Sequence, residues 1–598
     1  MSNGDADNPA DIDGGPLANN HKSIFAHIER GLLEHPDQPA VICMHQHVDH
    51  LTQWGDIDEE FQSAIKGIDP SPRCLTLTYA QLHAGALKLV AGFQANGIRP
   101  GSTVLCMIPN SCEYALILWA CAILRLTLAA VDPHALGDKH GLAEYLQSLT
   151  PAVLLIPHAK NSKVVESAIT ELPTLLQPCL RLWLDNEDCE SPPGWESFRR
   201  ILETGTLNIA FDEAAVLEDA RRDDADRVHS VLFTSGTSTG RPKGCPLHVG
   251  AMTHILESQS WLITPDNCAR VLQQAHNSRA IGPQHTLQTW RVGGAIVMDS
   301  GPSFAIEHTL DALLPHGATF IVLSPSMVHA LTQVLPSLPA GTGDSVKTIQ
   351  VGGDAVTREV LTKCAKLFPR AHVCVNHGMS EGGGFFIWPI FNPAIGKIPY
   401  MAEFCPVGEV APGARIRIWD SKARRVALRQ QPGRLHVCCD SLIRGYLGGV
   451  DASTFFEDSD GRRWMDTGDV AMVTENDLVY ILGRSKDAIV RPRVVIMPAA
   501  LESCIEKYTK AQACVVAVPD SSLGHEPFAV LSSLNGFTKE QIGSHVTRML
   551  GTEYRLRGVV SLKQIGLLAF PVNATHKVVK FKVQKAVMEL IKQNTALE

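Results

Sequence analysis

The twelve residues Phe233-Thr-Ser-Gly-Thr-Ser-Thr-Gly-Arg-Pro-Lys-Gly244 constrain this chain more than any other stretch. They follow an apolar run, 228–233, with the composition of a buried strand. The Ser, Thr and Gly residues then offer hydroxyls and unobstructed backbone N–H groups, the materials of a phosphate cradle. Lys243 supplies a point charge suited to the same ligand. A surface Ser/Thr/Gly loop is the plainer reading of the same letters. Lys243 follows Pro242 and precedes Gly244, which departs from the GxxxxGK[ST] order and disfavours a P-loop kinase.

A strand delivering such a loop needs a sheet around it. Short apolar runs at 103–108, 152–156, 228–233 and 320–323 alternate with amphipathic stretches, the pattern of mostly parallel strands covered by helices. An α/β body is expected over 21–482. Residues 114–131 are the most apolar stretch, but Arg125 lies inside it, so a buried helix running into a strand is expected rather than a membrane span. From Gly483 the pattern shifts to helix 498–508, strand 514–518 and helix 539–550, an α+β unit of lid size over 483–598. Leu482-Gly-Arg-Ser-Lys-Asp487 forms a polar, glycine-containing link suited to a hinge. Residues 1–20, rich in Asp, Asn and Gly, are expected to be disordered.

A net charge of −9 with interspersed signs argues against a nucleic-acid groove. Sixteen cysteines without paired CxxC spacing read as reduced thiols, and no leader of basic then apolar residues precedes the fold, so a cytoplasmic protein is expected.

The twelve-residue string is similar to the signature loop of the acyl-adenylate-forming superfamily, which includes acyl-CoA synthetases, adenylation domains of nonribosomal peptide synthetases and luciferases. Further segments match in the family's order: Asn376-His-Gly-Met-Ser-Glu381, Gly433-Arg-Leu435 with Arg444-Gly-Tyr446, Trp464-Met-Asp-Thr-Gly-Asp469, Gly483-Arg-Ser-Lys-Asp487, Val516-Ala-Val-Pro-Asp520 and the segment around Lys577. The resemblance covers about residues 23–590. It implies an α/β N-terminal domain of helix-covered sheets with a small mobile α+β lid. The implied chemistry is activation of a small carboxylic acid by ATP and Mg²⁺, then transfer of the acyl group to a thiol of CoA or of a phosphopantetheinyl carrier protein or synthase.

Residue by residue, the resemblance assigns Thr234, Ser235, Gly236, Thr237, Ser238, Thr239, Gly240 and Lys243 to the phosphates. Gly353, Asp354 and Ala355, with His377, Gly378, Met379 and Ser380, fall where the family sandwiches adenine. Asp469 and Arg484 match ribose contacts, and Glu381 matches the catalytic acidic ligand of Mg²⁺. Lys577, in Pro571-Val-Asn-Ala-Thr-His-Lys-Val578, matches the lysine that bridges carboxylate and α-phosphate in the transition state, where negative charge must be neutralised. Read alone, a lysine near Lys580, Lys582 and Lys585 equally makes a solvated face. His576 stands where the family usually has Gly. Lys486 matches the hinge, with a surface lysine in a linker as the alternative.

Gln274-Ala-His-Asn-Ser278 resembles the corresponding stretch of aryl-acid ligases of the 2,3-dihydroxybenzoate and salicylate type. This places His276, also expected to be catalytic, with Asn277, Ser278, Gly352, Gly383 and Gly384 around the acid. The ammonium of an α-amino acid would lack its aspartate partner there. Gly383 and Gly384 replace apolar residues, so room for a larger aryl acid or an acyl chain is expected. Arg279 and Asp354 either add polar selectivity, face solvent or form local pairs. The turn at Pro492-Arg493 departs from the glycine-lined thiol channel of the family. That departure supports a second reading, a nucleotide-binding adenylating protein impaired in thiol transfer, and a luciferase-like oxygenase is a third.

Overall fold

The computed structural model describes residues 8–18, 23–48, 50, 74–170, 180–184, 190–234, 242–299, 301, 305–334, 337–390, 395–401, 403–491, 494–573 and 577–595. Two seven-stranded sheets carry the body. One runs in spatial order Gly244–His248, Val228–Phe233, Thr127–Ala130, Thr103–Cys106, Val153–Ile156, Leu180–Trp183, Glu196–Ser197. All its pairs are parallel except Val228–Phe233 with Gly244–His248, the two strands that flank the glycine-rich segment in sequence. The other runs His372–Asn376, Thr348–Gly352, Phe320–Leu323, Arg270–Gln273, Ala295–Met298, Pro39–His47, Cys74–Thr78, again parallel apart from its last pair.

Helix Cys112–Ile123 explains how the two sheets share a core. Every residue of it is buried, and it touches strand Pro39–His47 of one sheet and strand Thr127–Ala130 of the other. A helix apolar on all faces can only be stable when covered on all faces. Ser111 starts it by accepting the Tyr114 N–H, and Trp119 packs edge-on to Trp290 with ring centroids 5.8 Å apart. The apolar stretch is thus a buried helix followed by strand Thr127–Ala130, and no described helix is long and apolar enough to cross a membrane.

A third sheet, absent from the alternation pattern, is antiparallel and built from Ala414–Asp420, Gly433–Cys439, Arg463–Val473 and Val479–Arg484 with shorter flanking strands. Its edge corrects the expectation of disorder for residues 8–18, while residues 1–7, 19 and 20 lie outside the described residues. Asp11–Asp13 forms a strand antiparallel to Ala414–Asp420, with Asp11 opposite Arg417. Ala10 is fully buried, and Asp11 accepts from Arg415 Nε at 2.6 Å. Acidic composition argued for disorder, yet these carboxylates meet arginines on the neighbouring strand.

The lid is α+β, with strands Ala513–Asp520, Gly524–Leu531 and Gly558–Ser561 covered by helices Pro498–Thr509, Lys539–Leu550 and Lys580–Thr595. Helix Lys539–Leu550 opens on a reciprocal cap between Thr538 and Gln541. Helix Pro498–Thr509 docks the lid onto the body. His329 of helix Pro325–Val334 lies 3.3 Å from Glu506, and Lys363 of helix Arg358–Leu367 donates to His329 Nδ1 at 2.8 Å. Beside that polar seam, Met497 and Ala499 of the lid pack with Ala355 and Phe404 of the body.

Candidate active site

The body and lid meet over the ends of strands Thr348–Gly352 and His372–Asn376. Past the first strand comes Gly353 with φ of +88°, and a Cβ there would lie 3.2 Å from Lys577 Cε and 3.8 Å from its Nζ. The lid lysine therefore lies directly on the backbone expected to meet adenine. Lys577 is held by a tight turn: its N–H donates to Asn573 Oδ1 and its carbonyl accepts from the Asn573 N–H, each at 2.9 Å. Val572 and Val578 pair across the turn. Lys577 has no ion pair among the described residues, and burial holds its ammonium below the usual lysine range against the opposing pull of Asp354. His576 lies outside the described residues. The solvated-face alternative for Lys577 does not match this placement.

Past the second strand, His377 Nε2 lies 2.9 Å from Asp469 Oδ2, and Arg484 Nε lies 3.0 Å from Asp469 Oδ1. The last contact follows from register, because Asp469 and Arg484 are paired residues of adjacent strands. Burial alone would raise the Asp469 carboxyl, but the His377 hydrogen bond and the Arg484 charge outweigh it and hold the group below the usual range. Gly378 has open space beside it, while Met379 and Gly382 exchange backbone hydrogen bonds at 3.0 and 3.3 Å. That hairpin puts Ser380 and Glu381 at its tip.

Glu381 Oε1 accepts the Tyr446 hydroxyl at 2.7 Å, and Lys243 Nζ sits 5.2 Å from the centre of the same tyrosine ring while pairing with Asp451. Tyr446 thus joins the predicted cation ligand to the phosphate-loop lysine, a role its place in Arg444-Gly-Tyr446 signalled only as a matching motif. Asp451 was not singled out by sequence, since its link to Lys243 spans two hundred residues. Glu381 has oxygen lone pairs beyond the one used by Tyr446, and oxygen donors suit Mg²⁺. Thr234 closes the base of the loop by donating its N–H to the Lys243 carbonyl at 3.0 Å. Ser235, Gly236, Thr237, Ser238, Thr239 and Gly240 lie outside the described residues.

The acid-pocket expectations divide. His276 is 1% exposed, and both ring nitrogens are committed: Nε2 faces the Ile108 carbonyl at 3.1 Å, and Nδ1 accepts the Ser278 N–H at 3.1 Å. Burial lowers its affinity for a proton. In this arrangement His276 fastens two segments of the pocket wall. Asn277 is fully buried, its Oδ1 accepting from Gln273 Nε2 and its N–H donating to Asn110 Oδ1. Its Nδ2 has no partner among the described residues. Gly352 lets two strands approach, since a Cβ would meet the Asn376 carbonyl at 2.4 Å.

Gly383 and Gly384 are not alike. Next to Gly383 the nearest atoms are those of Gln284, 3.8 Å away, whereas a Cβ at Gly384 would fall 2.0 Å from Ser258 Oγ. The extra room expected at both positions exists at Gly383 only, because Ser258 fills the other. Arg279 is half-buried, and its Nε has no partner among the described residues. Asp354 is exposed at the rim of the cavity between body and lid. Lys486 lies exposed in the short 3₁₀ turn Ser485–Asp487 that joins body to lid. Pro492 and Arg493 lie outside the described residues, but their neighbours Arg491 and Val494 close the turn with an N–H···O bond of 3.0 Å.

Comparison with known proteins agrees with this fold. The AMP-binding enzyme family matches residues 62–447. An acyl-CoA ligase from Pestalotiopsis microspora, GME11374, is 45% identical over 97% of this chain and 99% of its own length. Among solved structures, ATP-bound MatB from Rhodopseudomonas palustris superposes with a TM-score of 0.72 at 19% identity, over 94% of this chain and 98% of that one. The anthranilate CoA ligase AuaEII in complex with anthranoyl-AMP gives a TM-score of 0.72 at 17% identity, over 94% of this chain and 97% of that one.

Proposed function

Because the chain belongs to the AMP-binding enzyme family, we propose that it activates a carboxylic acid with ATP and passes the acyl group to the thiol of CoA. One observation carries the reading: Lys577 of the lid lies on Gly353 of the body, at the corner shared with Asp469. In the first step a substrate carboxylate oxygen attacks the α-phosphorus, the α–β phosphoanhydride bond breaks, and pyrophosphate leaves. Charge accumulates on the acid, the α-phosphoryl oxygens and the leaving group, so cations placed there in advance lower the barrier. Lys577 serves the first two and Lys243 the third, once a nucleotide competes with Asp451 for its ammonium. Asp469, held ionised by His377 and Arg484, accepts the ribose hydroxyls. Glu381 holds Mg²⁺, which neutralises phosphate charge when bound. In the second step the CoA thiol, having given its proton to solvent, attacks the acyl carbon, the acyl–phosphate C–O bond breaks and AMP leaves, with the lid turning about Lys486.

An aryl acid is the class we propose. Its support is the Ala275-His276-Asn277 stretch, the missing aspartate for a substrate ammonium, and the anthranoyl-AMP held by a protein of the same fold. CoA is favoured over a carrier protein because the P. microspora relative is an acyl-CoA ligase. A reducing, cytoplasmic location is supported by cysteines that are all unpaired among the described residues.

ATP–pyrophosphate exchange across benzoate, anthranilate, 4-coumarate, fatty and amino acids tests the proposal. Exchange with an aryl acid is expected. Folded protein that exchanges with no acid would overturn the enzymatic reading. Lys577→Ala should cut exchange by roughly 100-fold or more, the scale of removing a transition-state contact, while ATP binding by calorimetry stays within about threefold. Acyl-CoA formation from the active acid then separates a full ligase from a protein stalled at the adenylate.

A further inference from the structure

We propose that Lys580 is a positioning residue which, by occupying Glu502, keeps Lys577 free to reach the body. The inference rests on the adenylation role of Lys577 proposed above. Lys580 begins helix Lys580–Thr595, three residues after Lys577, and is ion-paired with Glu502 of helix Pro498–Thr509. The two side chains are only 20% and 17% exposed. The same Glu502 oxygen accepts the Val515 N–H at 2.8 Å, so three lid elements converge on one carboxylate.

Lys577, Lys580 and Glu502 all line one cavity of about 70 Å³ between lid and body, with Asp354, His329 and Glu506 on the same wall. Glu506 is already engaged, accepting the Ala513 N–H at 2.9 Å and facing His329 at 3.3 Å. Of the two lid carboxylates on this cavity, Glu502 is thus the one paired to Lys580 and the one open to the Lys577 ammonium if Lys580 were lost. A partly buried carboxylate stripped of its partner takes the nearest cation, because leaving it unpaired is costly. Lys577, unlike Lys580, is left with no ion pair among the described residues and with an ammonium whose proton burial has loosened. The arrangement gives one lysine a permanent partner and spares the other for the reacting groups, with exposed Asp354 as the carboxylate that the body presents.

The test is a mutant cycle on the full chain. Lys580→Met should lower ATP–pyrophosphate exchange with the active aryl acid by roughly 100-fold, as when a catalytic group is misplaced by about 1 Å. Lys580→Met combined with Glu502→Gln should recover most of that loss, because the competing carboxylate is gone. Lys580→Arg should retain exchange within about threefold, since the pair survives. Acyl-CoA formation from chemically prepared acyl-adenylate should stay near the wild-type rate in all three. If the double variant is no better than Lys580→Met, or both half-reactions fall together, Lys580 is merely structural and the proposal fails. A readout without substrate covers the case in which no acid supports exchange: the rate at which acetic anhydride labels Lys577, followed by mass spectrometry. Labelling should slow in Lys580→Met and return in the double variant, and an unchanged rate in Lys580→Met would overturn the inference.

Discussion

His377 Nε2 and Asp469 Oδ2, 2.9 Å apart, clamp the turn after strand His372–Asn376 to the third sheet, ninety-two residues further along the chain. With Arg484 on its other oxygen, the Asp469 carboxylate is ionised in the folded state at pH values where a free aspartate begins to protonate. The sign follows: a depressed native value adds stability above the unfolded value of about 3.9, and that stability is lost as pH falls from there through the native value. Asp469→Asn should flatten the acid limb of the stability curve below about pH 4, read from urea midpoints, and raise the KM for ATP by about tenfold. An unchanged acid limb would show that the clamp is not electrostatic.

Tyr446→Phe keeps the ring under Lys243 and removes only the hydroxyl that Glu381 accepts. A hydrogen bond to a charged group is worth about 1.5–3 kcal/mol. The Mg²⁺ concentration giving half-maximal exchange should rise by about tenfold, with melting temperature nearly constant.

Gly353→Ala tests whether the lysine and the glycine backbone need to touch. The substitution places a methyl 3.2 Å from Lys577 Cε on a residue with φ of +88°. Left-handed backbone costs a residue with a side chain about 1–2 kcal/mol. Exchange should fall further than that strain alone predicts, because the lid lysine must back away. A rate loss that matches the stability loss would refute the contact.

Substitutions at the two pocket glycines should separate cleanly. Gly383→Ala should fold normally and narrow the range of acids, with bulky aryl acids losing kcat/KM first. Gly384→Ala should destabilise the protein by about 1–3 kcal/mol, the usual cost of overpacking, and Ser258→Ala should restore part of that by removing the oxygen 2.0 Å from the new methyl.

The seam between His329, Glu506 and Lys363 sets how tightly the lid rests. Lys363 donates to Nδ1, so Nε2 carries the proton and faces Glu506. Lys363 is itself held below the ordinary lysine range by burial, partly offset by Glu506 and Glu359. Glu506→Gln should increase deuterium uptake in helix Pro498–Thr509 while leaving helix Cys112–Ile123 protected. Equal uptake in both would indicate global unfolding instead.

Much of this architecture is legible in the letters, and the exceptions share a cause. Helix Lys539–Leu550 and the buried run at Cys112–Ile123 depend on local period and capping, which sequence carries directly, whereas Gly483 and Arg484, where the change of pattern suggested a lid, still belong to strand Val479–Arg484 of the third sheet. Residues after each strand of the site could be named from motif order alone. What could not be seen depends on partners far along the chain. The Asp451 charge meets Lys243, Glu502 meets Lys580, and Ser258 fills the space beside Gly384. His276 drew notice through its place in Ala275-His276-Asn277, and the Ile108 carbonyl and the Ser278 amide that fix its ring were not visible there.

Asp11 lies opposite Arg417 in the finished sheet. A ribosome adding roughly 5–20 residues per second needs about 20–80 s to span that distance. Throughout that interval the first strand has no edge to join, while the two parallel sheets behind it can already assemble. Its docking is therefore a late event in biogenesis, closing a seam between the beginning of the polypeptide and a sheet made four hundred residues afterwards. An affinity tag fused at the amino terminus would ride on a strand that waits for its edge, and a carboxy-terminal tag would burden the lid instead.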